Sequence, residues 1–227
     1  MKGWTPSPRK GFQRFLYFSV AVPVLSLLCK LMFGLQIKGR ESLSLPGGAV
    51  LVCNHVHYLD SAMVAVAARG RHVTFATLDQ NFRIPVAGWL LKQFGCLPVG
   101  TTLKGTKQFL EQAERLLKQG NLVGIFPEGN LEEYHSNLQE FQRGAFVLAA
   151  KAGVPVIPLA IVQRPVERYR KLFHRKPFLT LQVGQPIHAP EGWKPREQAL
   201  YLQEEAYRRM ADALGIEPER SLFTIEV

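Results

Sequence analysis

Acidic residues are missing from the first 40 positions of this 227-residue chain, where seven cations stand alone (Lys2, Arg9, Lys10, Arg14, Lys30, Lys38 and Arg40). They supply most of the net charge of +10, leaving a nearly neutral remainder. Cysteine is scarce. Cys29, Cys53 and Cys96 lie far apart with no CxxC pair, which excludes a disulfide scaffold or a zinc finger. Such isolated cysteines fit a reducing compartment and small core positions. A long apolar run is also lacking. The stretch Phe15–Cys29 is fifteen residues, interrupted by Pro23 and closed by Lys30, whereas a spanning helix needs roughly 20. No A-x-A-like site follows it, so a cleaved signal peptide is disfavoured. There is no G-x-S-x-G, which removes the commonest serine-hydrolase signature, and no internal repeat or low-complexity tract.

What the N-terminal segment does have is a basic start joined to Leu-, Val- and Phe-rich sequence. Arms that bind nucleic acid are basic and open, so nucleic acid is not an expected partner. The pattern predicts a membrane-associating helical arm over residues 1–38, kinked or in two parts, lying in one leaflet with Lys and Arg reaching the head groups. A true span and a buried core helix are the alternatives.

Residues 39–227 read as one α/β domain. The 47% hydrophobic and 20% charged composition is that of a folded chain. Ala49–Cys53, Val73–Leu78, Cys96–Val99, Leu122–Phe126, Val154–Val162 and Phe178–Val183 are short apolar runs that predict strands. Ser61–Ala68, Phe82–Phe94, Thr102–Gln119, Gln142–Lys151 and a last segment from Leu200 to Leu214 have helical character. Alternation of apolar strands with helices predicts a mixed, largely parallel sheet covered by helices.

The segment Cys53-Asn54-His55-Val56-His57-Tyr58-Leu59-Asp60 joins a strand to a helix, where α/β folds place ligands. His55 and Asp60 are about 140° apart on a continuous helix. A helix that begins between them allows the Asp60 carboxylate to turn back to the imidazole. That gives a dyad in which Asp60 fixes the tautomer and His55 takes a proton from a hydroxyl. The plainer alternative makes Asp60 a helix cap and His55 a surface histidine. His55-x-His57 with Asp60 also approaches a metallo-hydrolase pattern, but Ser61 stands where a ligand histidine would, so no metal is expected.

A second strand-to-turn segment, Ile125-Phe126-Pro127-Glu128-Gly129-Asn130, offers a carboxylate and exposed backbone amides. Phe141-Gln142-Arg143-Gly144 and Val154-Pro155-Val156-Ile157-Pro158-Leu159 follow. In these blocks the chain resembles the 1-acylglycerol-3-phosphate acyltransferase superfamily, the PlsC-type glycerolipid acyltransferases. Asn54, His55 and Asp60 match its NHxxxxD block, Phe126–Gly129 its FPEG block, and Val154–Leu159 its V-P-[VI]-[VI]-P strand. The likeness covers residues of about 35–190, and an apolar N-terminal anchor is family-like too.

The resemblance implies a glycerol-3-phosphate acyltransferase-like fold and direct acyl transfer from a thioester to a lipid hydroxyl. His55 would be the base and Asp60 its orienter, with Pro127, Glu128 and Gly129 holding the acceptor. The donor would be acyl-CoA or an acyl carrier protein, and no cofactor is expected. The default acceptor is 1-acyl-sn-glycerol 3-phosphate, on the cytoplasmic face of a membrane with the protein peripheral or monotopic. Two positions depart from the pattern. Thr101 and Asn130 stand where the family carries arginines expected to grip the acceptor phosphate. Arg83, Lys104, Lys107 and Arg143 are candidate replacements; otherwise the acceptor is an unphosphorylated (neutral, glycosylated or isoprenoid) lipid alcohol. A catalytically weak lipid-binding version of the fold, a thioesterase and a transacylase are further alternatives. The basic run Arg164, Arg168, Arg170, Lys171, Arg175, Lys176 suits lipid head groups, CoA phosphates or an acidic carrier protein.

Overall fold

The computed structural model describes residue 15, residues 17–166 and residues 176–217. Lys2, Arg9, Lys10 and Arg14 of the arm, and residues 167–175 of the basic run, lie outside them.

The centre of the sheet is β2 (Ala49–Cys53), whose five residues are all buried. It pairs in parallel with β5 (Leu122–Ile125) on one side and β6 (Val156–Arg164) on the other. Outside β5 lie β3 (Val73–Leu78) and then β4 (Leu97–Val99), both parallel. Outside β6 comes β7 (Phe178–Val183), antiparallel to it, and then β1 (Gln36–Lys38), parallel to β7. The order is β1-β7-β6-β2-β5-β3-β4, a mixed and largely parallel sheet. Both faces are covered, which is why the central strands read as unbroken apolar runs.

Side chains alternate along each strand, and that alternation builds two cores. Leu51 and Cys53 join Met63, Val64 and Ala67 of α2 (Asp60–Ala67) with Cys29 and Phe33 of α1 (Val22–Phe33). Val50 and Val52 face the other way, toward α4 (Leu103–Lys118), α5 (Gly144–Ala152) and α6 (Pro195–Leu214). On α4 the inward stripe is Phe109, Ala113 and Leu117, at helical spacing. Thr102 starts this helix by accepting a hydrogen bond from the Gly105 N–H at 3.1 Å.

The arm enters through a π-helical turn, Tyr17–Ala21, and continues as α1 with Pro23 in its first turn. Among the described residues no helix is long and apolar enough to cross a membrane. One side of α1 is buried through Val22, Cys29 and Phe33; the other exposes Val24, Leu27, Leu28, Leu31 and Met32. Gly34 ends α1 at φ +53, and a Cβ there would lie 2.8 Å from the Phe178 ring. Residues 36–38, part of the arm by sequence, form β1. Phe82–Phe94 is not one helix. A 3-10 turn (Asp79–Arg83) and α3 (Ala87–Gln93) are separated at Ile84–Val86, because Pro85 drives the preceding residue out of helical geometry.

Candidate active site

The site begins with a clamp at the end of β2. Asn54 is buried and bonds the backbone of Ile161 twice: Nδ2 donates to the carbonyl at 3.2 Å, and Oδ1 accepts from the N–H at 2.7 Å. The side chain thereby extends the β2–β6 ladder and fixes where the loop departs.

From there the chain turns until α2 starts at Asp60. The Asp60 carboxylate does not cap its own helix. Its Oδ2 accepts three hydrogen bonds from the loop: His55 Nδ1 at 2.8 Å, the Val56 N–H at 2.7 Å and the His57 N–H at 2.8 Å. Asp60 is fully buried, whereas the His55 side chain is 23% exposed. An ionised carboxylate only accepts, so the proton of neutral His55 sits on Nδ1 and Nε2 is left as an acceptor. The imidazole stacks on Phe126 at 4.2 Å and 20°, and Phe126 stacks in turn on Phe75. The ring is held in position and direction.

His57 has a different setting. Its Nδ1 accepts from the Leu59 N–H at 3.1 Å, and its ring packs edge-on against Phe33 at 4.8 Å and near Tyr134 at 5.8 Å. It supports the loop. Among the described residues no group of three or more His, Cys, Asp or Glu could hold a metal ion.

The Pro127-Glu128-Gly129 turn at the end of β5 meets this loop. Glu128 Oε2 accepts from the His55 N–H at 3.2 Å. Burial pushes the Glu128 carboxyl up to about 7, against the opposing His55 and Gln139 backbone hydrogen bonds. Gly129 has φ +77, which favours glycine, and a Cβ on it would lie 2.5 Å from Gln142 Nε2 and displace that amide. A cavity of about 360 Å³ opens beside it, lined by Glu128, Glu140, Phe141, Gln142, Arg143 and Gln203.

Gln203 belongs to none of the sequence motifs. Its Nε2 donates to the Phe141 carbonyl at 2.7 Å, which fixes the amide's orientation. Its Oε1, like Glu128 Oε1, is buried with no partner among the described residues. The one signal was a polar residue on a face otherwise made of Ala199, Leu202, Ala206 and Met210.

The structure thus joins His55, Asp60 and Glu128 by hydrogen bonds, with Pro127 and Gly129 in the same turn and Arg143 lining the cavity with Glu128. Thr101 and Asn130 are exposed and lie outside the cavity lining.

The raised Glu128 carboxyl has a consequence for stability. Between its ordinary value of 4.5 and about 7 the folded chain holds this proton and the unfolded chain does not. The stabilisation is therefore full below the ordinary value and is lost as pH rises through about 7. Glu128→Gln cannot ionise. It should gain stability relative to the parent between about pH 5 and about pH 8, by up to about 3 kcal/mol, read from thermal melts across that range. A constant difference between the two melts would refute the assignment.

The model of the acyltransferase family matches residues 34–162. An uncharacterized protein of Mycobacterium tuberculosis is 31% identical over 165 residues, 67% of this chain and 44% of its own. The chloroplastic 1-acyl-sn-glycerol-3-phosphate acyltransferase of Arabidopsis thaliana is 33% identical over 132 residues, covering 57% of this chain and 36% of that one. The 1-acyl-sn-glycerol-3-phosphate acyltransferase of Bacillus subtilis is 27% identical over 164 residues, covering 72% and 79%. The chain spans less than half the length of the curated relatives it matches first. In fold it is similar to the crystal structure of PlsC, the 1-acyl-sn-glycerophosphate acyltransferase of Thermotoga maritima, with a TM-score of 0.63, 19% identity, and 92% and 86% of the two chains covered.

Proposed function

The chain belongs to the PlsC-type acyltransferase family, and from that premise we propose that it moves a fatty acyl group from a thioester donor to a lipid hydroxyl, with His55 as general base. The observation that carries this reading is the His55–Asp60 pair, pinned by three hydrogen bonds to one carboxylate oxygen beside the Glu128 turn. His55 Nε2 accepts the proton of the acceptor hydroxyl as its oxygen attacks the thioester carbonyl. Asp60 stabilises the imidazolium that forms. Collapse of the tetrahedral intermediate breaks the carbon–sulfur bond, and the leaving thiolate takes the proton from His55. The products are an ester and a free thiol. A thioester carries a good leaving group, so no acyl-enzyme is needed.

Acyl-CoA and acyl carrier protein both fit as donor. The exposed apolar side of α1 supports monotopic seating on a membrane, and the proposed donors make its cytoplasmic face the one to test. The test is purified full-length protein given either donor and a panel of lipid alcohols, phosphorylated and not, with ester formation followed directly. Ester formation with no member of the panel would count against the reading.

The family's default acceptor is 1-acyl-sn-glycerol 3-phosphate. Thr101 and Asn130 favour a second reading, an unphosphorylated lipid alcohol. Neither side chain carries a charge to neutralise a phosphomonoester, as the guanidinium fork at these positions would. Thr101→Arg with Asn130→Arg should shift kcat/KM toward the lysophosphatidate by about tenfold, the worth of one charge-assisted pair. A parent enzyme that already prefers lysophosphatidate, and loses that preference on Arg143→Ala, would reject the second reading and locate the phosphate at Arg143.

A further inference from the structure

The end of the sheet that carries His55 also carries an apolar surface that the proposed chemistry does not use. Six large side chains stand out in solvent there: Leu78 (43% exposed), Ile84 (51%), Val86 (73%), Trp89 (62%), Leu90 (39%) and Leu103 (92%). Their positions in the chain explain the grouping. Leu78 is the last residue of β3, Ile84–Leu90 follow it into α3, and Leu103 opens α4 just after β4. His55 and Glu128 follow the ends of β2 and β5. All four strands run parallel, so these segments emerge at one end of the sheet.

Two further features give this surface its character. Val86 sits at φ +63, a conformation that β-branched residues rarely adopt, with its side chain directed into water rather than into the core. Strain of this kind is typical of segments shaped for contact with something else. The charge around the patch is mainly positive. Between Leu78 and Leu110 there are four cations, Arg83, Lys92, Lys104 and Lys107, against one acid, Asp79. All four cations are exposed, and Asp79 lies 3.4 Å from Arg83. The arm reaches the same end of the sheet: the ring of Phe33, the last residue of α1, lies 4.8 Å from that of His57.

An apolar tip with an interfacial tryptophan and a surround of Lys and Arg is the chemistry of a contact with an anionic bilayer. We propose that the Ile84–Leu90 segment is a second membrane contact, separate from α1, that enters an anionic lipid surface and turns the His55 end of the sheet toward the bilayer. The orientation rests on the acyl-transfer reading; the lipid contact does not. With two contacts rather than one, the protein is fixed in tilt as well as in depth.

Trp89 reports on this directly. In full-length protein carrying Trp4→Phe and Trp193→Phe it is the one tryptophan left. Vesicles of phosphatidylcholine with phosphatidylglycerol should shift its emission to the blue, more than phosphatidylcholine alone, and lipids brominated high on the acyl chain should quench it. Ile84→Glu with Val86→Glu should weaken vesicle partitioning by about tenfold or more while leaving the thermal melt unchanged, since both side chains are more than half exposed. This readout needs no activity, so it stands apart from the acyl-transfer test. Protein that sediments with the vesicles while Trp89 emission stays unchanged would overturn the proposal. So would an equal shift in both vesicle types, or a shift given by an acidic carrier protein and not by vesicles.

Discussion

His55→Ala should cut acyl transfer by about 10²–10⁴-fold or more, the contribution of a positioned general base, and leave the fold standing. The His55 side chain is 23% exposed; its stack on Phe126 is worth about 1 kcal/mol and its hydrogen bond to the buried Asp60 carboxylate about 1.5–3 kcal/mol. The melting temperature should therefore fall by several degrees, with the backbone bonds of Asp60 still holding the loop. His57→Ala is the internal control. His57 packs on Phe33 and Tyr134 rather than on Asp60, so its loss should slow the reaction far less. Equal damage from the two substitutions would remove His55 from its role.

Asp60 differs because its carboxylate holds the loop as well as the imidazole. In Asp60→Asn the side chain can keep its place, but the charge opposite the imidazolium is gone. The two backbone N–H groups keep the amide oxygen in the place of Oδ2, so the loop stays held while the imidazolium loses its countercharge. The rate should fall by about 10²–10⁴-fold with a modest change in stability. Asp60→Ala should do more. It strands the Val56 and His57 N–H groups along with the imidazole, and each buried unpaired donor costs about 1–3 kcal/mol. A drop in Tm of about 10 °C is expected on top of inactivity. An Asp60→Ala protein as stable as the parent would show that the three hydrogen bonds do not hold the loop.

The parts of the fold that could be read in advance were those with a strong local signal. Ala49–Cys53 has the same bounds in sequence and structure, because a strand buried on both faces is apolar from end to end, and Val73–Leu78 and Phe178–Val183 keep their bounds too. The helix at Leu103–Lys118 declares itself through its apolar stripe and its i,i+4 pair Glu114–Lys118. β1 could not be read: it is three residues, Gln-Ile-Lys, with the polar two exposed. Its pairing with β7 is a tertiary fact with no local imprint. The break at Ile84–Val86 was signalled by Pro85 alone, and a proline in a first turn is equally compatible with an unbroken helix.

The site divides in the same way. His55 and Asp60 were legible because their spacing forces a turn between strand and helix. Glu128 was legible from its place at a strand end. Phe126 as the platform under the imidazole, and Gln203 arriving from α6, depend on how the sheet and helices stack. Asn54 could be matched to a motif, but its double bond to Ile161 appears only once β2 and β6 are side by side.

The central claim is direct transfer from thioester to lipid hydroxyl by the His55–Asp60 pair. The most direct measurement follows thiol release and ester formation together, with intact-protein mass recorded before and after the donor is added. The expected result is release that waits for a lipid alcohol, matches the ester formed mole for mole, leaves the protein mass unchanged, and disappears in His55→Ala. An acyl group retained on the protein, or ester formation that survives His55→Ala undiminished, would contradict it.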